Sequence, residues 1–172
     1  MNFISNHDEN SWNGTEFERM GDAVNLFAAF TYVVPGMPMI YCGQLSGNHH
    51  RLEFFEKDLI DTDEAYAQAD LYKKLNNLRE RNKALFSPEV GAPMVRLAAD
   101  NDAIFACARQ KEGKWHTNTV LAVMNMSDKE QEVILDLTGF EGDYKCLCGK
   151  KHALEAAQTF TLKPWQFKIF EK

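Results

Sequence analysis

The apolar periodicity of this chain changes once, near residue 90, and that change limits the folds open to its 172 residues. Before it, Ala23, Leu26, Phe27 and Phe30 recur at helical spacing, and so do Leu71, Leu75 and Leu78. Beyond it the period is two. Ile104, Ala106 and Ala108 alternate with Phe105, Cys107 and Arg109, and Val120, Ala122 and Met124 alternate with Leu121 and Val123. Val133, Leu135 and Leu137 share a face, as do Trp165, Phe167 and Ile169, which marks Trp165 as a core residue. The stretch Ser87-Pro88-Glu89-Val90-Gly91-Ala92-Pro93 punctuates the change. Two domains are expected, 1–90 and 91–172.

The first half reads as strand, helix, strand, long loop and helix. Phe3-Ile4 is a short apolar strand end. Thr15 and Glu18 form a capping box that opens a helix over 15–33, stopped ahead of Pro35-Gly36. Pro38-Met39-Ile40-Tyr41 is wholly apolar and bounded by turn residues, as in a buried parallel strand. Gly43 to about Asp63 is long and polar, the mark of a functional loop. The second helix ends in Arg79, Arg81 and Lys83, which suit its negative C-terminal end. In the second half, turn signals at 100–102, 112–114, 127–128 and 141–143 divide the strands at hairpin distances, so an antiparallel β-sandwich is expected.

Composition matters mainly for what it excludes. A net charge of −6 leaves no basic footprint for nucleic acid, and no apolar run reaches 18 residues, so neither nucleic acid nor membrane is an expected partner. Met1-Asn2-Phe3 lacks the basic start and apolar run of a signal peptide. Cys42, Cys107, Cys146 and Cys148 fit neither a redox C-x-x-C nor a common zinc spacing, so no metal site is read from them. Buried free thiols are the expectation, with a disulfide involving Cys107 as the other reading.

Asn6-His7-Asp8 follows the first strand end directly. Taken alone, the triplet reads first as an Asx-type turn leading into the loop before Thr15. Its context adds more. Pro35-Gly36-Met37-Pro38-Met39-Ile40-Tyr41-Cys42-Gly43-Gln44 lies one helix later. Leu52 to Asp58 and Tyr72 to Leu85 follow in turn, and then Val120 to Ser127 and Leu162-Lys163-Pro164-Trp165. In this order the segments resemble glycoside hydrolase family 13, the α-amylase family, over nearly the whole chain. They match its Asn-His-Asp strand, eighth strand, eighth helix and C-terminal sandwich. One departure is Leu45, where members often continue Gly-Gln with Glu.

The resemblance implies an α/β plus all-β protein: the last two βα units of a TIM barrel, then a C-terminal β-sandwich. It implies an α-amylase-type glycosidase acting on α-1,4-glucans such as starch and maltooligosaccharides. Asp8 would stabilise the oxocarbenium-like transition state, because a nearby carboxylate favours developing positive charge over the neutral ground state. His7 would hydrogen-bond the same sugar, Asn6 would orient its neighbours, and all three are candidate substrate contacts. Trp12 reads either as a stacking platform for a sugar ring or as packing over the helix start. In the family, the nucleophile and general acid come from earlier strands. Glu53, Glu56 and Asp58 read as solvated loop carboxylates, so the chain is expected to be inactive alone.

No cofactor is expected in this chain, and calcium belongs to the full-length enzyme. Two parallel strands cannot close a barrel, so a preceding barrel portion or self-association is expected to cover them. Two other readings stay open. One is a non-catalytic glucan-binding or structural module, with Trp115 and His116 as turn decoration or a surface glycan contact. The other is a transglycosylase or isomerase of the same family. Compartment is undecided, with a bacterial periplasmic or secreted location open for the full-length form.

Overall fold

A computed structural model describes residues 1–60, 68–87 and 89–172. Pro88 of the boundary signal and the end of the loop at Asp61–Asp63 lie outside them. The chain divides into two compact units, Met1–Tyr32 with Gly36–Asn77, and Val33–Pro35 with Leu78–Lys172.

In the first unit, Asn2 and Pro38 pair in parallel. The Asn2 N–H donates to the Met37 carbonyl and the Met39 N–H donates to the Asn2 carbonyl, both at 2.8 Å. Pro38–Tyr41 is half-buried rather than fully buried as expected, because a strand is enclosed only when both its edges and both its faces are covered. The capping box is formed: Thr15 Oγ1 accepts from the Glu18 N–H at 3.2 Å, and Glu18 Oε2 accepts from the Thr15 N–H at 2.8 Å. The helix it opens is not continuous to Val33. α1 spans Glu16–Met20, Gly21 takes φ 52°, a 3₁₀ turn covers Gly21–Ala23, and α2 spans Val24–Val33. Glycine permits that break because no Cβ opposes a positive φ. α3 covers Ala69–Arg81 and buries Tyr72, Leu75 and Leu78. Between the helices, the Tyr32 hydroxyl donates to Asn76 Oδ1 at 2.6 Å.

The second unit holds eight strands: β1 Met94–Arg96, β2 Ile104–Lys111, β3 Asn118–Asn125, β4 Gln131–Asp136, β5 Gly142–Cys146, β6 Lys151–Leu154, β7 Ala157–Leu162 and β8 Phe167–Glu171. Six form a sheet in the order β1-β2-β3-β8-β5-β6, and β4 pairs with β7 in a second sheet. Every strand pair is antiparallel. Inward residues of both sheets, among them Leu121, Val123, Leu135, Phe160, Leu162 and Phe170, form one apolar cluster. β3 is buried at every position.

Two polar side chains lock this unit. Arg109 is buried, and its guanidinium donates to the carbonyls of Ala92 at 2.9 Å and Phe86 at 3.2 Å. Burial lowers its pKa from the ordinary value. The Asn125 carboxamide donates to the carbonyls of Leu162 at 3.2 Å and Lys163 at 2.9 Å. Trp165 is not core. It lies half-buried in a turn at φ 54°, and β8 begins only at Phe167, so the alternating face stops short of it.

Candidate functional site

The Asn-His-Asp segment leaves extended backbone at once. Asp8 has φ −69° and ψ −49° and starts a π-type turn over Glu9–Asn13. Asn6 makes that start, since its Oδ1 accepts from the Glu9 N–H at 2.8 Å. His7 and Asp8 are consequently held at the exposed beginning of a helical turn, with His7 Nε2 and Asp8 Oδ1 3.6 Å apart, beyond hydrogen-bond reach. Glu9 is the first residue of this turn. That carboxylate is tied to Arg19 at 3.3 Å and accepts from Asn13 Nδ2 at 3.2 Å.

Two residues without a local sequence signal, Asn10 and Arg51, fix the loop 48–58 against this turn. Asn10 is buried and bridges 40 residues: its Nδ2 donates to the His50 carbonyl at 3.3 Å, and its Oδ1 accepts from the Leu52 N–H at 2.8 Å. Arg51 grips Glu18 with two bonds, Nε to Oε2 at 2.8 Å and Nη2 to Oε1 at 3.0 Å. Glu18 thus serves as cap and loop anchor at once. The guanidinium, together with the Thr15 N–H, holds its carboxyl at a pKa of about 2. Gly14 makes room for the pair, because at φ +108° an added Cβ would stand 3.0 Å from Glu18 and 3.1 Å from Arg51. Within the loop, Asp58 accepts from the Glu53 N–H at 2.8 Å and contacts His50 at 2.7 Å, and those bonds lower its pKa.

The anchored loop borders an open groove of about 460 Å³ lined by Ser11, Trp12, Arg51 and residues 52–56. Trp12 is 57% exposed and stands against Phe54 at 5.0 Å and Phe55 at 6.2 Å between ring centroids. His7 stacks on the same Phe54 at 5.8 Å. The structure therefore gathers His7 and Trp12 around one aromatic platform, which suits the flat apolar face of a sugar ring. Asp8 adjoins it through His7, and Asn6 serves the backbone. Glu53 and Glu56 also line the groove.

The cysteines depart from expectation. Cys146 and Cys148 form a disulfide, Cys42 is exposed, and Cys107 alone is a buried free thiol. A turn after β5 brings the pair together where a continuing strand would have held them apart. Burial pushes the Cys107 thiol up to about 12.

Residues 94–169 match the family model of the maltogenic amylase C-terminal domain. No curated protein matches the sequence. Among solved structures, a noncanonic maltogenic α-amylase from Thermotoga neapolitana superposes at TM-score 0.79 with 18% identity, over 100% of this chain and 41% of that one. A trehalose-6-phosphate hydrolase from Bacillus licheniformis aligns at 0.65 with 19% identity, over 98% and 42%. A debranching enzyme from Nostoc punctiforme aligns at 0.65 with 17% identity, over 99% and 33%. The chain spans about a third to two fifths of the length of these proteins. Residues 94–169 thus resemble the maltogenic amylase C-terminal domain, and the chain as a whole shares the fold of these amylase-type structures.

Proposed function

We propose that this chain is the C-terminal part of an α-amylase-type glycosidase acting on α-1,4-linked glucans. Its first unit would supply the last two βα units of a TIM barrel, with 91–172 as the appended β-sandwich. The observation that carries this reading is the groove built by the Asn10 and Glu18–Arg51 anchors, with His7, Asp8 and Trp12 on or beside it. The parallel bridge between Asn2 and Pro38 supports it, because parallel pairing across an intervening helix is the unit from which a β/α barrel is built. Asp8, exposed at the end of the first paired segment, takes the role of transition-state stabiliser. Positive charge developing at an anomeric carbon is favoured by a carboxylate fixed beside it. His7 binds hydroxyls of the same sugar, and Trp12 with Phe54 offers a stacking surface.

The free chain does not hydrolyse glucan in this reading. Glycoside hydrolysis requires two carboxyl groups that flank the scissile bond, one of them available as an acid. Glu9, Glu18 and Asp58 are committed to Arg19, Arg51 and His50, and Glu53 and Glu56 are exposed on the loop, where this reading leaves them solvated. Binding without turnover is the expected behaviour. Affinity electrophoresis through gels containing soluble starch tests it: the wild-type chain should be retarded and Trp12→Ala should run freely, with no reducing sugar released. Equal retardation of wild type and Trp12→Ala, with loss in Trp115→Ala, would move the site to the β2–β3 turn. There Trp115 is 85% exposed, with Lys114 over its ring at 4.9 Å.

A further inference from the structure

The hairpin of β5 and β6 carries a feature that glucan chemistry does not use. The ligand atoms of Cys146, Cys148 and His152 all lie within 4.8 Å of one another. Tyr144 pairs with His152 in the hairpin register, so His152 stands on the same sheet face as Tyr144 and Cys146. Backbone bonds hold the turn that presents Cys148. The Cys146 N–H donates to the Lys150 carbonyl, and the Gly149 N–H donates to the Cys146 carbonyl, both at 2.8 Å. Gly149 takes φ 91°, a conformation that closes the turn without a Cβ penalty. The His152 ring is edge-on to Phe170 at 5.4 Å, which restricts its orientation.

As a staple the Cys146–Cys148 bond does little. A disulfide stabilises chiefly by denying the unfolded chain its freedom, and a bond between residues two apart closes almost no loop. Cys148 and His152 are exposed, so reductant and metal both have access to the site. Two thiolates and an imidazole are the donor types of a zinc site with three protein ligands, which leaves its fourth position to water. In such a site the sulfurs stand roughly 3.8 Å apart, given Zn–S bonds of about 2.3 Å in tetrahedral geometry. The reduced turn has only to let the exposed Cys148 sulfur swing away from Cys146.

We propose that Cys146, Cys148 and His152 form a redox-gated binding site for Zn²⁺, filled in the dithiol state and closed in the disulfide state. A dithiol reductant delivers two electrons and two protons to the Cys146–Cys148 bond and leaves as its own disulfide. Zn²⁺ then displaces both thiol protons, binding the two thiolates and one neutral imidazole nitrogen. A small-molecule disulfide reverses the cycle: it takes the two electrons from the thiolates, leaves as two thiolates that draw two protons from water, and the re-formed Cys146–Cys148 bond expels the metal.

The test is a zinc titration of the full chain, reduced and freed of reductant under argon, against a chromophoric chelator. Co²⁺ absorption serves as a second readout of thiolate ligation. Reduced wild type should take up one tight equivalent of zinc, and the disulfide form none. Cys148→Ser should lose the tight site. His152→Ala should weaken it by roughly tenfold or more while still forming the disulfide. Cys42→Ser, which alters the exposed thiol of the other unit, should bind as wild type does. The exposed positions of Cys148 and His152 make these variants foldable, and thermal melts of their oxidised or metal-free forms confirm it. Equal zinc uptake by reduced wild type and Cys148→Ser would overturn the site. So would a His152→Ala affinity unchanged from wild type.

Discussion

The two units differ in what they leave uncovered. In the β unit, one apolar cluster draws on both sheets, and buried Arg109 and Asn125 are fully engaged with backbone carbonyls. The first unit is well wired by polar bonds, yet Met1, Phe3, Met37, Leu45, Phe55 and Leu59 stay open to solvent. Among the described residues its parallel pairing is the bridge between Asn2 and Pro38. The β unit pairs its strands with one another, through the consecutive pairs β1–β2, β2–β3 and β5–β6 and the longer-range pairs β3–β8, β5–β8 and β4–β7. Parallel pairing joins segments distant in sequence, and the first unit leaves more of its large apolar side chains open than the β unit does. The lesson is that polar anchoring fixes a loop's shape, whereas apolar closure decides whether a region stands alone.

The largest effect expected from this contrast is on folding itself. Residues 78–172 expressed alone should give dispersed amide NMR signals and a cooperative melt, while residues 1–77 should give neither. A cooperative melt from 1–77 would remove the contrast. Next in size, Leu135→Ala in the β core should cost about 2–5 kcal/mol, whereas Phe55→Ala, at 82% exposed, should stay within about 0.5 kcal/mol in denaturant titrations. Gly14→Ala comes third. It imposes a strained φ and crowds the Glu18–Arg51 pair, so a loss of about 1–3 kcal/mol from the first unit is expected in the same titrations.

Acid should separate the units more gently. The Glu18 carboxyl sits at about 2 when folded against 4.5 ordinarily, so its contribution is complete above pH 4.5 and fades as pH falls toward 2. Glu18→Gln should flatten that part of the pH–stability curve, and added salt should shrink the difference because the pair is exposed. Smallest is a labelling difference. Under native oxidising conditions an alkylating reagent should modify Cys42 and spare Cys107, which is buried and has a raised pKa. Mass spectrometry of the digested protein reads that directly.

Legibility followed the range of the interactions. The β strands were readable because alternation at Ile104–Ala108 and Val120–Met124 is a local imprint of a two-sided sheet. The Thr15–Glu18 capping box was readable because its partners lie three residues apart. The break at Gly21 carries no sequence signal, because the capping box before it and the apolar spacing from Ala23 after it both read as helix, and a lone glycine is compatible with helix. Trp165 misleads for the opposite reason: the alternation of Phe167 and Ile169 extends in sequence back into the turn that precedes β8. Asn10 and Arg51 left no trace, since each acts on a partner more than 30 residues away. The Cys146–Cys148 bond was not legible, because it depends on the turn that ends β5, which spacing alone does not mark.

The account's central claim is that the first unit is a glucan-binding surface without turnover. A residue-resolved NMR titration of the full chain with a maltooligosaccharide tests it most directly, with product followed in the same tube. The account predicts shift changes at His7, Asp8, Trp12, Phe54 and Phe55, an unperturbed β unit, and no new reducing ends. Shifts confined to residues 91–172, or release of shorter sugars by the free chain, would contradict it.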